Sequence, residues 1–163
     1  MKRYVKAAVS AGCAAAMILG TGVFASAEET KTLRVAMECG YAPYNWTQPT
    51  DENGAVPISD SNEYAYGYDV MMAQHICEEL GYDLEIVKLD WDSLVPAVVS
   101  GTVDCVIAGQ SITSERLEVV DFTVPYYYAS IITLTKSDSE YADAKGVADL
   151  AGATCTSQLN TVW

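Results

Sequence analysis

The 163-residue sequence predicts an α/β protein in which a parallel sheet carries helices on its faces. Three observations lead to this fold class. Short apolar runs of strand length alternate with helical segments in the order strand, helix, strand, helix, strand. The apolar runs are nearly continuous, as in parallel strands that are buried on both faces. Half of the residues are hydrophobic and 19% are charged, which is a globular composition.

Residues 1–27 are predicted to form a signal peptide. Lys2, Arg3 and Lys6 give a positive start, and an apolar stretch follows from 7 to 24. The small residues Ala25-Ser26-Ala27 then supply a cleavage site. We therefore expect the mature chain to be exported, to the periplasm or the outer face of the cytoplasmic membrane.

Two alternatives for this segment stay open. The apolar stretch approaches the roughly 20 residues that span a bilayer, so an uncleaved membrane anchor is one of them. The other is lipidation of Cys13, because Ala11-Gly12-Cys13 resembles a lipobox, although Ser10 stands where that pattern has Leu.

The first strand is predicted from Leu33 to Met37. The stretch from Cys39 to about Asn62 is rich in Pro, Asn, Asp, Gly and Ser, so we expect an irregular loop there. An amphipathic helix is predicted from Tyr68 to Leu80, because apolar residues recur at helical spacing and Gly81 follows as the stop.

The later elements follow the same alternation. We predict a strand over 84–89, a short helix from Asp92 to Ser100 and a nearly continuous apolar strand from Val103 to Ala108. Beyond these we expect a strand from Ser130 to Lys136, a helical stretch around 143–150 and a strand from Ala153 to Ser157. The last strand resembles the start of another strand-loop-helix unit, so the sequence is expected to be truncated.

Charge and cysteine content exclude several classes of protein. Without the signal, six basic residues face 22 acidic ones, a net charge of −16, and nucleic acid is therefore not an expected partner. The spacing of the cysteines after the signal matches no zinc or redox motif, so we predict no metal and no cofactor. Cys77, Cys105 and Cys155 are expected to be small buried apolar residues, and a disulfide stays possible in an exported protein.

Ligands of open parallel sheets bind outside the carboxyl ends of the strands. The loops of interest therefore follow Met37, Leu89 and Ala108. Their candidate groups are Glu38, Tyr41 and Tyr44 in the first loop, Trp91 in the second, and Gly109, Ser111, Thr113 and Arg116 in the third. This set of groups is suited to binding a zwitterionic ligand.

Arg116 is the natural partner for a carboxylate, because its planar fork donates two parallel hydrogen bonds. Ser111 adds a hydroxyl, and Gly109 allows close approach and offers its carbonyl to an ammonium group. The alternative for Arg116 is a surface arginine paired with Glu115 or Glu118.

Tyr41, Tyr44 and Trp91 can enclose an aliphatic or cationic side chain, although each could equally be a packing residue. Tyr126, Tyr127 and Tyr128 are expected to be a structural cluster at the start of a strand. The single histidine, His75, is expected on the helix surface. Since no nucleophile pairs with it, no hydrolase triad can be assembled and no catalytic residue is predicted.

These residues occur within an ordered series of motifs that resembles the bacterial solute-binding protein family 3, the extracytoplasmic receptors of polar amino-acid ABC importers. The resemblance extends from about residue 32 to the end of the chain. The motifs are Val35-Ala36-Met37-Glu38, Gly40-Tyr41-Ala42-Pro43-Tyr44, Gly67-Tyr68-Asp69-Val70, Trp91-Asp92-Ser93-Leu94-Val95-Pro96-Ala97, Gly101-Thr102-Val103-Asp104, 108–116 and Asp121-Phe122-Thr123-Val124-Pro125-Tyr126-Tyr127.

The resemblance implies a type II periplasmic-binding-protein-like fold of two α/β lobes joined by a hinge. Lobe 1 would cover 28–128, and 129–163 would contain the hinge crossing and the start of lobe 2.

The resemblance also implies a ligand-binding role for nine residues. Arg116 with Ser111 would bind the ligand carboxylate, and Gly109 would accept from its ammonium group. Tyr41, Tyr44 and Trp91 would line the side-chain slot, where Glu38 could meet a cation. Gln110 replaces the usual Met or Leu beside the ligand, and Thr161 matches the position where lobe 2 closes on the carboxylate.

The expected function is capture of a polar amino acid and delivery to the membrane permease of an ABC importer, by a monomer that is not an enzyme. One alternative is an enzyme resembling cyclohexadienyl dehydratase on the same scaffold, with Glu38 as an acid-base group. A second alternative is the sensory input domain of a signalling protein.

Overall fold

The computed structural model describes residues 31–163, so the predicted signal peptide and Cys13 lie outside the described residues. The strands and α-helices all lie between residues 32 and 106. In chain order they are β1 Thr32–Met37, β2 Gly40–Tyr41, β3 Asn45–Gln48, β4 Val56–Pro57, β5 Tyr64–Tyr66, α1 Tyr68–Leu80, β6 Asp83–Lys88, α2 Leu94–Val99 and β7 Cys105–Val106. Single 3-10 turns occur at Glu52–Gly54, Trp91–Ser93, Arg116–Glu118 and Val147–Leu150.

A three-stranded parallel sheet in the order β6-β1-β7 confirms the predicted fold class. β1 pairs along its whole length with β6, from Thr32 opposite Asp83 to Met37 opposite Lys88. The central position of β1 explains why its second half is apolar, because a middle parallel strand is covered on both faces. Val35, Ala36 and Met37 are accordingly fully buried.

The two faces of this sheet bury two separate clusters of the core. Successive side chains of a strand point to opposite faces, so Val35 and Met37 of β1 contact one cluster and Ala36 the other. The first cluster includes residues of α1, β5 and β6, and the second lies beneath α2. Helices therefore cover both faces of the sheet, as predicted.

Helix α1 has the predicted bounds of Tyr68 to Leu80. It ends at Gly81, whose backbone is left-handed with φ +66°, and the Gly81 N–H donates to the last turn. Val70, Ala73 and Cys77 form the buried stripe that the periodicity predicts. Neither α1 nor any other helix within residues 31–163 has the length and apolar character to cross a bilayer.

The prediction of an irregular loop from Cys39 to Asn62 is wrong. This stretch contributes three strands to a four-stranded antiparallel sheet in the order β2-β3-β5-β4. Trp46 lies opposite Tyr66, and the two rings meet edge to face with centroids 5.1 Å apart. The polar composition concealed these strands because their stability comes from cross-strand pairing, which local sequence does not report.

Other predicted elements are shorter or absent. The helix expected over 92–100 is a 3-10 turn followed by α2, and the strand expected over 103–108 is reduced to β7. The stretch 130–136 has no regular structure, with Ile132 84% and Leu134 94% exposed. The strand expected over 153–157 is also absent, and 143–150 contains only the turn at Val147–Leu150. Apolar strand composition is insufficient where no partner strand lies alongside.

Candidate functional site

The loops that follow β1, β6 and β7 emerge from the same edge of the parallel sheet, since parallel strands all end on one side. The first loop carries Glu38, Tyr41 and Tyr44, and the second carries Trp91 within its 3-10 turn. The third carries Gly109 to Arg116. The sheet therefore brings the three predicted loops together.

Arg116 is anchored by its own loop and lies near Trp91 of the second loop. Its backbone N–H donates to the Thr113 hydroxyl at 3.2 Å, and its Nη1 donates to the Ser111 carbonyl oxygen at 2.8 Å. Its guanidinium carbon lies 5.6 Å from the centroid of the Trp91 ring, within cation–π range. Ser111 thus contacts Arg116 through its backbone carbonyl, and the role of its hydroxyl toward a ligand carboxylate stays a prediction.

The charge of Arg116 is not paired with a carboxylate in the described part of the chain. The two ion pairs there join Arg34 to Asp104 and Lys88 to Glu63. The alternative in which Arg116 pairs with Glu115 or Glu118 is therefore wrong. A half-buried guanidinium bonded only to carbonyl oxygens keeps its affinity for an anion.

The aromatic residues of the first loop form a cluster beside Gly109. The rings of Tyr41 and Tyr44 lie 4.8 Å apart between centroids. A Cβ placed on Gly109 would lie 3.3 Å from Cε1 of Tyr41, so the backbone approaches this ring closely. The hydroxyl of Tyr44 is hydrogen-bonded to that of Tyr127, which raises the pKa of Tyr44 to about 12.

A distal segment, Gln158–Trp163, lies across these loops. The Asn160 carbonyl oxygen accepts from Arg116 Nη2 and from Trp91 Nε1, each at 3.1 Å. The Gln158 side chain donates to Glu38 Oε1 at 2.9 Å, and the Trp163 ring lies 5.4 Å from that of Tyr41.

Two predicted residues have other surroundings. The Thr161 hydroxyl donates to the Gln158 carbonyl at 2.7 Å, within the distal segment itself. Gln110 lines a cavity of about 190 Å³ beside α2, together with Ala108 and Tyr126. In the described chain no hydrogen bond joins the Gln110 side chain to the other predicted residues.

Sequence reasoning missed a buried polar network beneath the loops. Asp69 is fully buried and accepts from the Tyr126 hydroxyl at 2.8 Å and from Asn45 Nδ2 at 2.7 Å. Burial raises the pKa of the Asp69 carboxyl, and these two hydrogen bonds oppose that rise. Tyr126 is therefore more than the structural cluster residue we expected. The available signal was Asp69 itself, an acid next to the apolar stripe of α1.

Residues 31–163 contain no group of three His, Cys, Asp or Glu side chains arranged to hold a metal ion.

The chain is similar to several proteins that are named for binding solutes. The octopine-binding periplasmic protein of Rhizobium meliloti is 30% identical over 121 residues, covering 74% of this chain and 37% of that protein. The arginine-binding extracellular protein ArtP of Bacillus subtilis is 36% identical over 96 residues, 59% of this chain and 36% of that protein. This chain therefore spans less than half of the length of either relative.

A solved structure agrees with these relatives. An amino acid ABC transporter substrate-binding protein from Streptococcus pneumoniae, bound to L-arginine, is 38% identical with a TM-score of 0.51. The similarity covers 59% of this chain and 36% of that one. Residues 33–154, most of the chain, match the model of the bacterial extracellular solute-binding proteins, family 3. The chain therefore belongs to the bacterial extracellular solute-binding proteins of family 3.

Proposed function

We propose that this chain is the ligand-gripping part of an extracytoplasmic receptor that captures a polar amino acid and delivers it to an ABC importer. Amino acids with a cationic side chain are the favoured ligands, with L-arginine as the first candidate. Relatives named for binding arginine, histidine and octopine support this choice.

The unpaired guanidinium of Arg116 carries the proposal. Its Nη2 is directed at a carbonyl oxygen of the distal segment, at 3.1 Å, and not at a carboxylate. We assign the position of that carbonyl oxygen to one carboxylate oxygen of the bound ligand. Trp91 lies within cation–π range of the guanidinium and would help to orient it for a two-pronged grip.

Glu38 supplies the complementary charge for the ligand side chain. It is half-buried at the end of β1, and the contact from Gln158 is a neutral amide donor. An ammonium or guanidinium group in place of that amide would add the attraction between opposite charges to the hydrogen bond. Tyr41 and Tyr44 would line the aliphatic part of the slot.

We assign the rest of the receptor accordingly. Residues 28–128 form one lobe, 129–163 begin the second, and a leader over 1–27 directs export. The protein acts as a monomeric binding protein with a membrane permease as its partner, and without catalysis.

The proposal is tested with a thermal-shift panel of the common amino acids on the full-length gene product. A ligand at 100 times its dissociation constant should stabilise the protein by about 2.7 kcal/mol. We expect L-arginine to raise the melting temperature. Absence of a shift with every amino acid, together with turnover of prephenate or arogenate, would instead support the enzyme alternative.

Replacing Arg116 by Lys tests the grip directly. Lysine keeps the charge but loses the fork, so the dissociation constant for the amino acid should rise at least about tenfold, or 1.4 kcal/mol. Isothermal titration calorimetry provides the measurement. The exposed Lys136→Ala variant removes a positive charge elsewhere and should bind like the parent protein. Equal affinity of Arg116→Lys and the parent would exclude Arg116 from the grip.

A further inference from the structure

The buried carboxylate of Asp69 receives two chains of hydrogen bonds from two different ligand loops. Asp69 is the second residue of α1 and is fully buried together with Asn45. One oxygen accepts from Asn45 Nδ2 at 2.7 Å, and the other accepts from the Tyr126 hydroxyl at 2.8 Å. Each oxygen of this buried carboxylate therefore has a hydrogen-bond donor. A neutral amide at the same position, with one acceptor oxygen, could not accept both hydrogen bonds.

The first chain ends in the loop after β1. The backbone N–H of Cys39 donates to Asn45 Oδ1 at 2.8 Å, and since an N–H can only donate, the amide NH₂ of Asn45 must face Asp69. Cys39 has φ +55°, a left-handed conformation that is uncommon for residues other than glycine. Its carbonyl is also bound, by the Thr47 hydroxyl at 2.9 Å. The backbone next to Glu38 is thus held at both polar groups.

The second chain ends in the turn after β7. The Gly109 N–H donates to the Tyr126 hydroxyl oxygen at 3.2 Å. Because this oxygen accepts from Gly109, the Tyr126 hydroxyl donates its own hydrogen bond elsewhere, and the Asp69 carboxylate is the acceptor. Every donor in both chains therefore points toward Asp69, which is the final acceptor of both.

We propose that Asp69 is the positioning residue of the ligand site, holding the Glu38–Cys39 loop through Asn45 and the Gly109 turn through Tyr126. Asp69 itself does not touch the ligand. It fixes the two loops relative to each other, so that the Gly109 carbonyl and the Glu38 carboxylate lie at a set separation across the slot. This inference deepens the proposed function, but its first test does not depend on that function.

The variant Asp69→Asn shows why a carboxylate is needed to accept both hydrogen bonds, because it replaces one oxygen by an NH₂ group. An asparagine offers one acceptor and one NH₂ donor to two groups that both donate. Either the Asn45 amide or the Tyr126 hydroxyl then faces a donor. Tyr126→Phe is the milder variant, because it removes only the Gly109 chain and leaves the Cys39 chain intact.

The first test is amide hydrogen exchange in the ligand-free, full-length protein, followed residue by residue by NMR. In Tyr126→Phe the Gly109 amide should exchange about tenfold faster, while the Cys39 amide keeps its rate. In Asp69→Asn at least one of the two amides should accelerate, namely the amide whose hydrogen-bond chain faces the new NH₂ group. The matched control is Tyr128→Phe, whose ring is 83% exposed, and it should change neither.

Two results would overturn the inference. One is an unchanged Gly109 amide in Tyr126→Phe. The other is a uniform acceleration of all protected amides of β1 and β6, which would indicate general destabilisation instead of positioning. Should Asp69→Asn fail to fold, the Tyr126→Phe result decides alone.

The second test connects positioning to binding, with L-arginine and its analogue without the α-amino group, 5-guanidinopentanoic acid, as probes. Tyr126→Phe should weaken binding of arginine about fivefold more than binding of the analogue, because only arginine has an ammonium group for the Gly109 carbonyl. Equal weakening of both would contradict the role of Tyr126 at Gly109. If the parent protein binds no amino acid, the proposed function fails, and the exchange rates still decide the role of Asp69.

Discussion

The guanidinium of Arg116 donates to two backbone carbonyl oxygens and forms no ion pair within residues 31–163. The sequence left the role of Arg116 ambiguous, because the charge of either of two nearby glutamates could have neutralised that of the guanidinium. The folded chain resolves this ambiguity, since its guanidinium contacts Ser111, Asn160 and the Trp91 ring. Which glutamate a flexible arginine reaches depends on where its loop runs, and loop path is a tertiary property.

Glu38 gives a prediction about ligand choice. Glu38→Gln keeps the shape and removes the charge, so the dissociation constant for L-arginine should rise about fivefold to tenfold, whereas that for a neutral amino acid such as glutamine should change less than about twofold. Competition binding measures both. Glu79→Gln, at an exposed position near the end of α1, removes the same charge away from the site and should leave both affinities unchanged. A parallel loss for both ligands would indicate that Glu38 is a structural residue.

The residues that sequence reasoning missed share one property. Asn45, Asp69 and Tyr126 lie far apart in the chain and are joined only by hydrogen bonds in the fold. Motif recognition included Asp69 and Tyr126 as letters but gave Asp69 no role. A buried polar group acquires its role from its partners, and partners that are distant in sequence cannot be predicted from spacing.

Among the elements, α1 was predicted to the residue, because its signals are local. The apolar stripe, the helical spacing and the terminal glycine all lie within 14 residues of one another, from Tyr68 to Gly81. The start of the helix is different. Gly67 has φ +129°, and a Cβ there would lie 2.3 Å from the carbonyl oxygen of Tyr44. This glycine is required by a neighbouring loop.

The two glycines that flank α1 form a matched pair for mutation. Gly67→Ala combines a disfavoured backbone with a backbone collision, so it should lower the free energy of unfolding by about 3 kcal/mol or more. Gly81→Ala has the backbone cost alone, since no atom lies within 4 Å of its Cβ position, and should cost about 1 kcal/mol. Urea denaturation measures both losses, provided that the dependence of the unfolding free energy on urea concentration is the same as in the parent protein. Similar losses at the two positions would show that the Tyr44 loop moves aside.

The strands show the opposite behaviour. β1 was predicted because its buried second half is apolar, whereas β3 was missed because three of its four residues are polar and β5 because it has only three residues. The stretch 130–136 has strand composition but no partner, and it is irregular. Strand formation is decided by pairing, and pairing is non-local.

At the scale of the whole molecule, the core protects its thiols. Cys39 and Cys77 are 3% exposed, whereas Cys155, which was expected to be buried, is exposed. Burial raises the pKa of Cys39 to about 11, and the positive charge of Lys88 opposes part of that rise. Since the thiolate is the reactive form, Cys39 combines low access with low ionisation at neutral pH.

Alkylation kinetics test this division. At pH 8, iodoacetamide should modify Cys155 in the native chain and leave Cys39 and Cys77 unmodified until urea unfolds the core, as measured by peptide mass spectrometry. In concentrated urea all should react at similar rates, which is the control. Because the folded state holds the Cys39 proton more tightly, stability should also fall as the pH rises from about 8.5 to about 11. Equal native rates for Cys39 and Cys155 would contradict the burial.

Residue order alone was enough to predict the α/β class, the parallel sheet, the bounds of α1, the three loops that carry the candidate site and the resemblance to a receptor family. These depend on periodicity, glycine positions and ordered motifs, which are properties of neighbouring residues. The folded chain was needed to reveal the antiparallel sheet, the partners of Arg116, the placement of the distal segment over the loops and the convergence of two loops on Asp69. Each of these depends on contacts between residues far apart in the chain, and their energies appear only when packing brings them together.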